Sequence, residues 1–394
     1  MTLFQDTGGD PRATAARLAD VLAWYGALGD AACGNPSGFA LRKAALGAAL
    51  AESMSLGEEE RPAVAFAGLL HAIGAIGNAA FKKGGDPLSE RLARIEAWDV
   101  PAQGARMCAS MGMLPAATPD IVRWQAECWD GTGFPDQLRW HGIPRSAQCL
   151  LLADVFLRAE DPDDALATVY LRSGRSFGPD TVRAFTSWFH LNGGHVPVPV
   201  LPIDALTVAP GDDLALLDAI ADRVDAHNGV PERWHRVHAL ADGTAAAVGV
   251  DAAQRAALGV AARLYGAGEL YCAAVEDAQF DPLARMGIDE RAKNAGAAAG
   301  LLAGNATLGH VTEILRARAE WYDGTGKPDG MKHGEIPVGS RILAAAIAFD
   351  TLHEGRSSLR SERGAPMQRI DTAIGTQFDP AVVRALLTAA KAHA

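Results

Sequence analysis

"AECWDGTGFPD", Ala126 to Asp136, returns 193 residues later as "AEWYDGTGKPD", Ala319 to Asp329. An Asp followed by Gly-x-Gly-x-Pro reads as a chain reversal: the Asp accepts backbone N–H groups and the Gly supplies a positive φ. A long composite turn written twice raises the question of whether its surroundings are written twice as well. They are. "GIPRSAQCLLLADVF" (Gly142–Phe156) lies over "EIPVGSRILAAAIAF" (Glu335–Phe349) at the same offset. Upstream, "ALRKAALGAALAESMSLG" lies over "WHRVHALADGTAAAVGV" and "AFAGLLHAIGAIG" over "GVAARLYGAGEL", with the register shifted by a single residue. Downstream, "GRSFGPDTVRAF" matches "GTQFDPAVVRAL", and the extra residues fall in "HEGRSSLRSERGAP".

Duplication is the economical reading, and it divides the chain into repeats at 12–192 and 212–394. The segment 193–211, "GGHVPVPVLPIDALTVAPG", alternates Pro with other residues and reads as an extended, semi-rigid linker without helix. Two domains also suit 394 residues, too many for one ordinary core.

Within each repeat the apolar residues recur at three-to-four spacing in Ala- and Leu-rich sequence, as in "ATAARLADVLAWYGALGD", "RKAALGAALAESM", "AVAFAGLLHAIGAI" and "QCLLLADVFLRAE". The expected class is all-α. Pro179 and Pro380 fit the first turns of helices, where a missing N–H costs nothing.

Composition narrows the function. No apolar run is long enough to span a bilayer, and the start of the sequence lacks the pattern of a secretory signal, so a cytoplasmic protein off the membrane is expected. A net charge of -11 with no basic run argues against extended nucleic-acid binding. The five cysteines are scattered and contain no C-x-x-C pair.

The two turns, each followed by "GIP" or "EIP" and then by an apolar helix, resemble the HD-GYP family, a branch of the HD-domain metal-dependent phosphohydrolases. The resemblance covers nearly the whole chain, twice. It implies helical bundles that hold two or three iron or manganese ions and hydrolyse cyclic di-GMP, the metals polarising the phosphate and activating a water. In both turns the motif positions are Glu127, Asp130, Gly131, Gly133 and Pro135, and Glu320, Asp323, Gly324, Gly326 and Pro328.

Carried over residue by residue, the family's metal ligands are mostly missing. In the first repeat their positions hold Phe39, His71, Ala72, Val100, Gln125, Ala126 and Asp154, so that His71 and Asp154 alone match. In the second they hold Arg233, Tyr265, Gly266, the region 292–294, Arg318, Ala319 and Ile347, with no match. The family's phosphate-binding Lys is replaced by Ala75 and Glu269. A catalytic metal needs about three protein ligands, so no cofactor is expected, with iron or manganese only if the chain is an enzyme.

The leading expectation is a catalytically inactive tandem HD-GYP-like protein acting as a signalling or scaffold module. Its expected partners are a GGDEF-type cyclase domain docking on the turns or a cyclic dinucleotide, and the repeats are expected to form a pseudo-symmetric internal dimer. One alternative is a metal-dependent phosphodiesterase at the first repeat, drawing on Glu96, Asp99 or Glu127 as extra ligands. Another is a non-hydrolysing cyclic di-GMP receptor, with Trp124, Trp129, Phe134, Trp321 and Tyr322 stacking on the base and Arg123, Arg316 and Arg318 meeting phosphate. His71 is expected to be a core histidine paired with Asp154, Arg318 to take up space that cations hold in the family, and His235 and His238 to lie on a solvated face.

Overall fold

The computed structural model describes residues 10–76, 99–209, 211–270, 272, 290–302, 308–353 and 370–393. They form helices joined by turns, without a β-strand among the described residues, and fall into two compact units, Asp10–Asp213 and Leu214 onward.

The first unit carries α1 (Pro11–Cys33), α2 (Phe39–Ser53), α3 (Glu60–Leu69), α4 (Asp99–Ala109), α5 (Thr118–Trp124), α6 (Arg145–Arg158), α7 (Pro162–Leu171) and α8 (Pro179–Asn192). Helix α2 is the hub, packing against α1, α3, α6 and α8. Its Ala-rich sequence lets neighbouring backbones approach closely. A Cβ on Gly68 of α3 would sit 2.8 Å from the Ala44 Cα, and one on Gly47 would sit 2.8 Å from Leu150 of α6. Phe39, Leu46 and Leu50 of α2 are buried in the resulting core with Phe66, Leu69 and Leu150, each contributing roughly 1.5–3 kcal/mol of transfer free energy.

The second unit is built from α9 (Asp212–His227), α10 (Arg233–Val248), α11 (Ala252–Leu264), α12 (Glu290–Gly300), α13 (Gly309–Ala317), α14 (Val338–His353) and α15 (Pro380–His393). Here α10 is the hub, contacting α11, α14 and α15. Pro179 and Pro380 open α8 and α15, the first-turn positions expected for them.

Two local expectations change. The helix read through "AVAFAGLLHAIGAI" stops at Leu69, and His71 stands in the turn before a short 3-10 segment, Ile73–Ala75. The His71 ring takes the Gly68 carbonyl at 3.0 Å, a group that would otherwise accept an N–H of the next helical turn. In 193–209, Ile203–Ala205 forms one 3-10 turn after Pro202, and Thr207 N–H donates to the Met113 carbonyl. Proline excludes helix only for its own N–H, so a turn that begins just after Pro202 is allowed.

Candidate functional site

The centre of the first repeat is built on the start of α2. Asp30, near the end of α1, accepts the Ala40 N–H at 2.7 Å and so anchors the first turn of α2. Phe39 stands in that turn, and Lys43 follows one turn later on the same face. Lys43 is 3% exposed, and its Nζ donates to Gln125 Oε1 at 3.0 Å and to Asp154 Oδ1 at 3.0 Å. Gln125, at the end of α5, is fixed in turn by its Nε2, which donates to the His71 and Val122 carbonyls.

Arg158 closes the cluster from α6. Its Nε donates to Asp154 Oδ2 at 2.8 Å, its Nη2 donates to Asn35 Oδ1 at 3.0 Å, and its guanidinium lies 4.8 Å from the centre of the Phe39 ring. Asn35 Nδ2 reaches Asp30 Oδ1 at 3.1 Å and His71 Nε2 at 3.3 Å. With Nδ1–H directed at Gly68 and Nε2 accepting from Asn35, His71 is a neutral ring using both nitrogens.

Electrostatics follow from this closure. Burial, and then the Lys43 charge, push His71 well below its ordinary value. Burial resists ionisation of Asp154, but Lys43 and Arg158 outweigh it and hold the carboxyl well below the usual carboxylate range. Burial draws the Lys43 ammonium down against the pull of Asp154. Burial raises Asp30 to about 6 in spite of the Ala40 N–H and Asn35.

The partner expected for His71 is therefore corrected: it is bonded to Asn35 and Gly68, with Asp30 at 3.8 Å, while Asp154 belongs to Lys43 and Arg158. Lys43, Arg158, Asp30 and Asn35 were not singled out by their sequence, and Gln125 was read only as a lost ligand position. One signal was there: a Lys inside the otherwise apolar face of "ALRKAALGAAL", four residues after a ligand position.

The two turns share one construction. Glu127 is fully buried and accepts the backbone N–H groups of Asp136 at 2.6 Å and Leu138 at 2.9 Å. Glu320 does the same for Asp329 and Met331. Asp130 Oδ1 accepts the Thr132 N–H and hydroxyl, and Asp323 repeats this with Thr325. Gly131 and Gly324 have φ of +82° and +87°, and a Cβ on Gly133 or Gly326 would strike the backbone N of Cys128 or Trp321. The peptides before Pro135 and Pro328 are cis. Each turn is also tied to the downstream block, Asp130 N–H to the Arg175 carbonyl and Asp323 N–H to that of Thr376.

Residues proposed for ligand contact are placed around these turns. Arg123 forms a two-pronged pair with Asp136 at 2.7 Å, joined by Trp124 Nε1, and Arg316 bonds Asp329 at 2.7 Å. Trp129 packs against Gly178 and the edge of His141, and Tyr322 against His333. Asp99 is exposed and lies 3.8 Å from Arg106, while Glu96 lies outside the described residues. His235 stacks on Trp234 and reaches Asp222 at 3.0 Å. His238 lines a separate open cavity with Asp242, Arg255 and Arg263.

The corresponding centre of the second repeat is different. Asp225 accepts the Trp234 N–H at 2.6 Å, as Asp30 accepts that of Ala40. The position of Lys43 is Val237 and that of Asp154 is Ile347. Arg233 and Arg318 occupy ligand positions and stand 5.1 and 5.9 Å from the centre of the Tyr265 ring, which itself replaces His71. Arg233 Nη2 donates to Glu269 at 2.8 Å. Arg318 is turned inward, its Nε and Nη2 out of reach of solvent.

A family model for the HD domain matches residues 29–168 and 215–382, one match in each repeat. The chain belongs to the HD domain family. Both halves of this tandem HD protein thus carry the family's helical framework, and the turn motifs are consistent with its HD-GYP branch. The 3'3'-cGAMP-specific phosphodiesterase 3 of Vibrio cholerae serotype O1 is 27% identical over 257 residues, 58% of this chain and 53% of that protein. A cyclic di-GMP phosphodiesterase of the same organism is 38% identical over 79 residues, 18% of this chain and 16% of that one. The tandem HD chain spans about half the length of the first relative and less of the second. A crystal structure of a cyclic GMP-AMP specific phosphodiesterase from V. cholerae matches with a TM-score of 0.64, covering 95% of this chain and 97% of that one at 21% identity, a likeness of fold.

HD phosphohydrolases typically use divalent metals, and His71 and Asp154, the two family-site residues kept in the first repeat, do not fit that role as they stand. Asp154 is already shared between an ammonium and a guanidinium, and both His71 nitrogens are spent on protein groups. Among the described residues no three His, Cys, Asp or Glu side chains gather where they could hold one ion.

Proposed function

We propose that this tandem HD protein works without hydrolysing phosphodiesters, as a signalling or scaffold module that keeps the HD frame and has internal cations where its relatives use metals. One observation carries the reading: the Lys43 ammonium lies 3.0 Å from both Asp154 and Gln125, two residues at which the family resemblance puts metal ligands. A fixed ammonium can neutralise a carboxylate, but it offers no open coordination position for a substrate oxygen or a water nucleophile.

On the outside, the surface of the turns is available for recognition. In the second repeat Lys327 and Pro328 are exposed at the tip of a loop held rigid by Glu320, Asp323 and the downstream block. A rigid projecting loop loses little conformational entropy on binding. Its partner on this reading is a protein domain of the GGDEF cyclase type.

The test is direct. Purified full-length protein is assayed for metal by mass spectrometry and for hydrolysis of cyclic di-GMP and 3'3'-cGAMP in manganese and in ferrous buffer. The expected result is metal well below one ion per chain and no turnover. Stoichiometric metal with turnover that is lost in H71A would establish the alternative, a phosphodiesterase at the first repeat, for which the named activities of the V. cholerae relatives speak.

A further inference from the structure

The two repeats differ in one respect that their shared fold does not require. In the first, Lys43, Gln125, His71 and Asp154 satisfy one another, and none of their buried polar atoms is left without a partner. In the second, four buried atoms lack a hydrogen-bond partner among the described residues: Arg233 Nε, Tyr265 Oη, Arg318 Nε and Arg318 Nη2. Only two other such side-chain atoms occur among the described residues, Trp24 Nε1 and Thr118 Oγ1, and they lie in the other unit. The open donors are therefore concentrated in one place.

That place is defined by Tyr265, against whose ring both guanidinium groups stand. All four atoms can donate: a guanidinium never accepts, and a tyrosine hydroxyl is free to donate. The two cations face one well-formed carboxylate contact, Arg233 Nη2 to Glu269, while Asp225 Oδ1 lies 3.7 Å from Arg233 Nε and the Asp225 Oδ2 is spent on the Trp234 N–H. Arg318 forms no ion pair among the described residues; burial pulls its guanidinium below its ordinary value, opposed mainly by Glu269. Buried charged donors without partners are costly and uncommon in folded proteins. Planar guanidinium forks are the groups best matched to tetrahedral or carboxylate oxygens.

We propose that Arg233, Tyr265 and Arg318 form an oxyanion site in the second repeat, which takes a phosphate group either as free phosphate or as part of a phosphodiester. The site inverts the charge logic of a metal centre. Where a cation bridges carboxylates to a phosphate, here the protein's own cations meet the phosphate directly. The proposal stands apart from the reading of the first repeat and holds whether or not that repeat turns over substrate.

The experiment uses the full chain. Its melting temperature is measured in about 10 mM inorganic phosphate and in sodium chloride of equal ionic strength, for wild type and for R318M, and cyclic di-GMP is titrated calorimetrically into both. Wild type is expected to melt several degrees higher in phosphate than in chloride. R318M should lose that shift, yet melt in chloride no lower than wild type, because an unpartnered buried charge has gone. If cyclic di-GMP gives heat with wild type and none with R318M, the phosphate group arrives in a phosphodiester. If it gives none while phosphate shifts the melt, the ligand is free phosphate. Equal melting of wild type in both salts together with no heat from cyclic di-GMP, or a phosphate shift unchanged in R318M, would overturn the proposal. Should R318M not fold, R318K keeps the charge without the fork and is expected to show a weakened shift.

Discussion

Lys43 Nζ lies 3.0 Å from Asp154 Oδ1, an ammonium from the second turn of α2 against a carboxylate from α6. The pair links two helices in the core of the first repeat, and Arg158 grips the second oxygen of the same carboxylate at 2.8 Å. Replacing Lys43 with Met removes one cation and leaves Gln125 Oε1 without a donor. The loss expected is about 3 kcal/mol, the scale found when one partner of a buried pair is deleted. Urea unfolding midpoints of K43M, D154N and the double variant check it. The double variant should be more stable than the sum of the single losses, since an apolar neighbour no longer faces an intact charge.

Manganese should not stabilise the wild-type chain. A ligand that binds only the folded state raises the melting temperature by mass action, and the ammonium at Asp154 stands against such binding. Thermal melts with and without about 1 mM manganese are therefore expected to coincide. A manganese-dependent rise in wild type would contradict this.

Glu127 and Glu320 predict a paired result. Each buried carboxylate caps two backbone N–H groups of its turn, so E127A strands those of Asp136 and Leu138, and E320A those of Asp329 and Met331. A donor stranded out of water costs about 1–3 kcal/mol. Both variants should be destabilised by about 2 kcal/mol or more, and limited proteolysis should cut E127A near 130–138 and E320A near 323–331.

The pH dependence has a definite sign. Burial raises Asp225 from 3.8 to about 6, against the Trp234 N–H and Arg233, and raises Asp30 similarly. In the unfolded chain these carboxyls ionise near pH 4. Between about pH 4 and 6 the unfolded state therefore sheds protons that the folded state keeps, and the contribution of these groups to stability falls as pH rises, levelling above that window. D225N keeps an acceptor for Trp234 and removes one of the two titrations. Its unfolding free energy should drop less than that of wild type over this window, by up to about 3 kcal/mol.

Repeat structure, helical class and the turns were legible in the sequence because each is local. A Gly that must take φ near +80°, an Asp two residues before the N–H it accepts and a Pro opening a helix depend on near neighbours alone. Loss of the ligand pattern was equally plain, since Ile347 and Ala72 carry no donor atoms under any fold. What filled the space was not legible. Gln125 read as an inert replacement, but it fixes Lys43 through a hydrogen bond across 82 positions. His71 read as the mate of Asp154, and the structure gives it Asn35 instead.

By itself the sequence determined that one HD-like unit was written twice and that most of its metal-binding side chains are missing. Only the tertiary structure decided how each centre is neutralised, because a charge is compensated by whichever groups packing brings near it. In the first repeat, α2, α5 and α6 converge so that Lys43, Gln125, Asp154 and Arg158 close on one another. In the second, the same convergence brings Arg233 and Arg318 to Tyr265 with donors left open.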